Sequence, residues 1–320
     1  MIGLYAHHHG SGHIQRCREI ARHLPDATIL STHPSADVVL IDDAGALTSD
    51  PLTAGGTLHY APTTHEGYRA RMQQIAAWVE ANDPSVLYVD CSVEVAVFVR
   101  LLGVPVVTVA MPGVRDDAPH QLGYAQVTAI VAAWPDWVPV PAHLQAHADR
   151  LHAVGGISRL RGLADRGRDE RSVLVMAGTG GSTWDRDSWD EVERACPNWD
   201  FTILDGANRV DDDAALTEML QSAGVVVVAA GQNSVADVAA CGAPAIVLPQ
   251  PRPFAEQEAT AAVLRDAGLA VVPESFPEPA MWPALLHQAA GMDTFWDDPQ
   301  SGWQTAGAAR RAAEVIRGAS

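Results

Sequence analysis

Four small polar residues, Gly231-Gln232-Asn233-Ser234, follow the apolar run 225–230 and open a short helical segment. A helix N-terminus built from such residues presents outward backbone N–H groups and partial positive charge, a setting that holds phosphate. The next apolar run, 245–248, leads into a loop whose Glu256 and Gln257 open another helix. A third turn, Ala177-Gly178-Thr179-Gly180-Gly181-Ser182, follows the run 173–176, and its glycines let the backbone approach oxygen atoms closely. At the amino terminus, Gly10-Ser11-Gly12-His13 joins the run 2–6 to a segment with helical spacing through Ile14, Cys17, Ile20, Ala21 and Leu24. An imidazole is the side chain whose free form changes charge near neutral pH, and one at that helix opening can take a proton from a substrate; it can also simply cap or pack the turn.

Other chemistries fit these residues less well. A dinucleotide fingerprint needs a third glycine at position 15, where the chain has Gln15. His7, His8, His9 and His13 suggest metal ligation, but adjacent strand residues point to opposite faces, so His7 and His9 converge without His8. No carboxylate or cysteine lies close in sequence to complete a ligand set. No metal and no cofactor is therefore expected. The loop from Met111 to Asp117 follows the apolar run 104–109; Arg115 there could meet an acidic group, and Asp116 or Asp117 could act as an alternative base or lie in an ordinary solvated turn.

These turns need elements to position them. Apolar runs at 2–6, 27–31, 38–41, 86–89 and 104–109, then at 173–176, 201–204, 225–230, 245–248 and 270–272, alternate with helical patterns. Near-continuous Val/Ile/Leu strands separated by helices predict parallel sheets covered on both faces, an α/β fold. The rhythm restarts near Val173, after a glycine- and arginine-rich stretch expected to be a solvated linker. The predicted organisation is a domain at 1–153, a linker at 154–171 and a second domain at 172–320. A last helix at about 305–317 is expected to pack back on the first domain.

With 320 residues, 48% of them hydrophobic, the chain can bury two cores. Its net charge is −18, and all 21 basic residues are arginine, which argues against a nucleic-acid partner. Cys17, Cys91, Cys196 and Cys241 show no ligand or disulfide spacing and read as reduced thiols. With no signal-peptide pattern and no long apolar run, the expectation is a cytoplasmic protein without stable membrane insertion, peripheral association remaining open.

Taken together, the turns at 10–13 and 230–257 resemble those of the two-domain GT-B glycosyltransferases, specifically the inverting family 28 type that includes MurG-like N-acetylglucosaminyltransferases. The resemblance implies two Rossmann-like domains with parallel sheets facing across a cleft, and transfer of a sugar from a nucleotide-sugar donor, a UDP-sugar favoured, to an acceptor hydroxyl without a metal. It makes His13 the candidate base, with Asp116 a weaker alternative, and places Gly10, Ser11, Gly12, Met111 and Arg115 on the acceptor side. Gly178, Thr179, Gly180, Gly231, Gln232, Asn233 and Ser234 would face the donor diphosphate and sugar. Asp237 stands where the family usually has a ribose-holding glutamate, Gln257 matches a sugar-contacting glutamine, and Glu256 replaces a more usual amide. Met111 and Pro112 depart from the polar acceptor-side pattern, so the acceptor is open. A sugar-nucleotide 2-epimerase of the same fold and a non-catalytic nucleotide-sugar-binding protein are the competing expectations.

Overall fold

The structure, a computed structural model, describes the chain apart from residues 8–10, 42–51, 162–166, 178–183, 206, 207, 209, 211 and 294. The chain forms two compact units. The first comprises residues 1–133, 139–154 and 309–320; the second comprises 134–138 and 155–308.

In the first unit the order is β1 (Ile2–Ala6), α1 (Gly12–Ala21), β2 (Ala27–Ser31), β3 (Val38–Val39), α2 (Glu66–Asn82), β4 (Val86–Asp90), α3 (Val93–Leu101), β5 (Val106–Ala110), α4 (Ala118–Gln126), β6 (Ala129–Ala132) and β7 (Leu151–Ala153). The strands make one parallel sheet in the order β3-β2-β1-β4-β5-β6-β7. β1, β4, β5 and β6 are buried along their whole length, as unbroken apolar runs must be when helices cover both faces. α1 turns Ile14, Cys17 and Ile20 inward at three-residue spacing. The chain lays β2 and β3 on one side of β1, then returns to place β4 on the other. This reversal is a topological switch point, and the crevice beyond the carboxyl ends of β1 and β4 is where open α/β sheets bind ligands. Sheet register sets Ala6 beside Asp90 at that edge.

The second unit runs β8 (Asp169–Met176), α5 (Arg186–Ala195), β9 (Asp200–Leu204), α6 (Asp213–Ser222), β10 (Ala223–Val228), α7 (Gln232–Ala240), β11 (Ala245–Val247), α8 (Glu256–Asp266) and α9 (Trp282–Ala290). Its parallel sheet has the order β11-β10-β8-β9, so the switch point falls between β8 and β10. Alternate residues of β10 feed two cores. Val226 and Val228 join Leu174, Leu216 and Leu264 on one face; Val225 and Val227 join Val173, Trp189 and Trp282 on the other. Each fully buried valine contributes about 1.5–3 kcal/mol, so the strand is anchored from both sides. α10 (Ala308–Gly318) lies from residue 309 onward in the first unit, where Arg311 Nε donates to the Val154 carbonyl at 2.8 Å.

Several details differ from the sequence reading. β6 and β7 were not anticipated, and the run 38–41 keeps a strand only at Val38–Val39. Residues 270–272 contribute a single bridge, Ile246 to Val271, because Pro273 cannot extend the ladder. The arginine-rich stretch is more than a solvated linker: Arg168 donates to the carbonyls of Leu220, Ala223, Cys241 and Gly242 at 2.9–3.0 Å, satisfying acceptors at the ends of α6 and α7. The four cysteines are free. Among the described residues no helix is long and apolar enough to cross a membrane.

Candidate functional site

Helix starts differ in how they are capped, and α9, behind Met281, is among those without a side-chain cap. α2, α3, α4, α5 and α6 each begin with a side-chain cap, from His65, Ser92, Asp117, Asp185 and Asp212. α1 and α7 do not: Ser11 makes no side-chain cap bond, and Gly231 has no side chain to make one. α8 also starts uncapped, behind Phe254 and Ala255, both held at positive φ. Left-handed backbone at a bulky residue costs free energy and concentrates at ligand-binding turns. The N-termini of α1 and α7 therefore lie at the two switch points without a cap from the side chain of their own N-cap residue.

In the first unit, His13 occupies the first turn of α1 and its Nδ1 lies 2.6 Å from Asp90 Oδ1. Asp90, fully buried at the end of β4, is held from three further directions. Arg16, one helical turn after His13, donates through Nε to Oδ2 at 2.7 Å and through Nη2 to Oδ1 at 3.0 Å; the Tyr88 hydroxyl donates to Oδ2 at 3.1 Å. Burial alone would raise the Asp90 carboxyl, but the charges of Arg16 and His13 overcome it and hold the carboxyl well below the usual carboxylate range. Burial and the Asp90 charge push the Tyr88 phenol well up, so it stays a neutral donor. An ionised Asp90 accepts only, so the neutral form of His13 carries its proton on Nδ1 and presents the Nε2 lone pair. A carboxylate–imidazole pair of this kind is chemically able to act as a general base, and the His13 side chain is 15% exposed. Cys91, next to Asp90, is at φ 68°, a strained position at the strand end.

Sequence reasoning singles out His13 as the candidate base and does not name Asp90, although an acidic residue closing a buried strand is a legible signal. Ser11 and Gly12 lie at the start of α1; Gly10 falls outside the described residues. Met111 Sδ sits 3.5 Å from Arg16 Nη2, so the loop after β5 reaches the same cluster. Arg115 is 4% exposed and turned into its own loop, where Nε donates to the Pro112 carbonyl at 3.2 Å and Nη1 lies 3.2 Å from His120 Nε2. Asp116 is exposed, and it is Asp117 that caps α4.

In the second unit, Gly231, Gln232, Asn233 and Ser234 form the start of α7, directly beyond β10. Gly178, Thr179 and Gly180 lie outside the described residues. Asp237, farther along α7, is 4% exposed; Ser158 Oγ donates to it at 2.6 Å and Arg159 Nε lies 3.6 Å away. Burial raises its carboxyl to about 6 despite those partners. Gln257 is buried, and its Oε1 accepts the Gln250 N–H at 3.0 Å, fixing the loop between β11 and α8; Glu256 opens α8.

Residues 210–275, from just before α6 through α8 to just past Val271, match the model of the glycosyltransferase family 28 C-terminal domain. Among solved structures the chain is similar to MurG of Acinetobacter baumannii, at 15% identity and a TM-score of 0.62, with 99% of each chain covered. It is similar to CalG4, the calicheamicin glycosyltransferase, at 17% identity and 0.61, covering 99% of this chain and 97% of that one. A Listeria monocytogenes protein assigned as UDP-N-acetylglucosamine 2-epimerase matches at 12% identity and 0.62, over 97% and 94%. No characterised protein matches by sequence alone. The GT-B fold and the family 28-type resemblance expected from the sequence are borne out.

Proposed function

We propose that the protein is an inverting glycosyltransferase that moves a hexosyl or N-acetylhexosaminyl group from a nucleoside-diphosphate sugar, a UDP-sugar favoured, to an acceptor hydroxyl. The observation that carries this reading is the His13–Asp90 pair at the switch point of the first unit. In it, His13 Nε2 takes the acceptor proton as the oxygen attacks the anomeric carbon, and Asp90 stabilises the imidazolium that forms. The second unit binds the donor. Backbone amides at the start of α7, where Gly231 brings no side-chain cap, face the diphosphate and stabilise its departure as preorganised dipoles, so no metal is needed at the leaving group. Ribose hydroxyls replace Ser158 Oγ on the Asp237 carboxylate, and the loop that Gln257 braces contacts the sugar.

Thermal stabilisation by UDP-, dTDP- and GDP-sugars identifies the donor, since a ligand bound only by the folded state raises its stability. With the stabilising donor, His13→Ala is expected to lower turnover by about 10²–10⁴ while nucleotide affinity stays nearly unchanged. Unchanged turnover would remove His13 from the reaction. The similarity to an assigned 2-epimerase sustains a second reading, in which the donor sugar itself is altered. Incubating enzyme and donor without acceptor separates the two: an epimerised nucleotide-sugar supports the second, and an unchanged or hydrolysed donor supports transfer.

A further inference from the structure

The first unit holds a second cluster of chemically capable side chains outside the His13–Asp90 pair. His59 precedes α2, and Asp117 and His120 lie three residues apart at the start of α4. His59 Nε2 is 3.0 Å from Asp117 Oδ1, His120 Nδ1 is 2.6 Å from Asp117 Oδ2, and the two imidazoles pack edge to face with centroids 4.4 Å apart. The three donor atoms all lie within 4.8 Å of one another.

We propose that His59, Asp117 and His120 form a binding site for a borderline-soft divalent cation, with Zn²⁺ as the reference ion. Two imidazole nitrogens and one carboxylate oxygen make a three-ligand set that leaves a coordination position open. The surroundings already fix the ligands. Glu94 Oε1 accepts the backbone N–H groups of His59 and Tyr60 at 2.8 and 2.9 Å, which pins the segment carrying His59. The backbone N–H of His120 donates to Asp117 Oδ1 at 3.2 Å, so two ligands share one helix start. Outer-shell bonds of this kind orient ligands before the metal arrives. Charge favours a dication as well: Asp117 and Glu94 bring two negative charges against the single positive charge of Arg115.

One contact opposes the ion. Arg115 Nη1 donates to His120 Nε2 at 3.2 Å, which places the His120 proton on Nδ1, the atom that must ligate. Binding therefore moves that proton to Nε2 and turns Arg115 aside. Ligation through His59 Nε2 likewise needs that atom's lone pair, so the bound form of His59 carries its proton on Nδ1. Arg115 competes with the metal for the tautomer of His120, and affinity is set by that competition.

The test uses the full chain after chelator treatment, equilibrated with micromolar ZnCl₂, with bound zinc measured by competition against a chromophoric chelator. The expected result is one zinc per chain, weakened more than about tenfold in both His59→Gln and His120→Gln, with wild-type circular dichroism retained. His59 is the more exposed ligand, so its variant keeps the measurement interpretable if His120→Gln folds poorly. A His7/His8/His9→Gln variant is expected to bind as the wild type does. Absence of stoichiometric zinc, or zinc lost with His7–His9 but retained in His59→Gln, overturns the assignment. The measurement reads no glycosyl transfer, so it stands apart from the proposed activity.

Discussion

Asp90→Asn separates what the buried carboxylate does for the fold from what it does for His13. The substitution keeps the side-chain shape but strips the charge that faces Arg16, which is itself only 2% exposed and bonded at 2.7 and 3.0 Å. A buried guanidinium left without its counter-charge costs about 3–5 kcal/mol, a large part of the total stability of a domain. Removing both charges in Arg16→Met/Asp90→Asn leaves no orphaned ion, and the double variant is expected to recover to within about 1 kcal/mol of wild type. Urea unfolding followed by circular dichroism measures the cycle, and hydrogen exchange at the amides of β1 and β4 localises the loss to the first unit. Turnover should not recover in parallel. The double variant still lacks the anion that fixes the His13 tautomer, so nucleoside diphosphate release under transfer conditions is expected to stay about 10²–10⁴ below wild type. A double variant no more stable than Asp90→Asn would refute the ion-pair account. Wild-type turnover in a stable double variant would refute the orienting role of Asp90.

Two further outcomes follow from the second unit. The folded Asp237 carboxyl titrates at about 6 against an ordinary 3.8, so its contribution to stability is complete below pH 3.8 and lost as pH rises toward 6, a change of ~3 kcal/mol. Asp237→Asn should lose this slope; parallel urea midpoints for variant and wild type between pH 4 and 7 would contradict it. A Cβ on Gly156 would overlap the Trp303 ring and press on Ala236 at 3.2 Å, so Gly156→Ala is expected to destabilise by about 1–3 kcal/mol. A melting temperature equal to wild type would show that Trp303 yields freely.

The parts of the fold that were legible are those encoded by unbroken apolar runs, because a strand buried on both faces leaves little choice of residue. β10 could be read this way, whereas β6 and β7 are short, and β7 carries His152 in its middle. The candidate site was legible where its chemistry is local. His13 and Gly231 sit in turns whose composition announces them, but Asp90 is 77 positions from His13 and reaches it only through the pairing of β1 with β4. The ligands His59, Asp117 and His120 have the same property: only the tertiary fold brings position 59 to the start of α4. Arg168 shows a different failure, since composition marks arginine as solvated while its four carbonyl partners belong to helix ends that no local pattern reveals.

The uneven capping of the helices bears on how this protein can change. A Ser or Asp at position 231 would give α7 the capping oxygen that α3, α4, α5 and α6 possess, a gain over glycine of a few tenths of a kcal/mol available through a single substitution. The same oxygen would occupy the amides that the proposed donor diphosphate uses and place a negative partial charge beside it. Stabilising the scaffold at this position and accommodating an anion there are mutually exclusive, so Gly231 marks a point where selection for robustness and selection for binding pull in opposite directions.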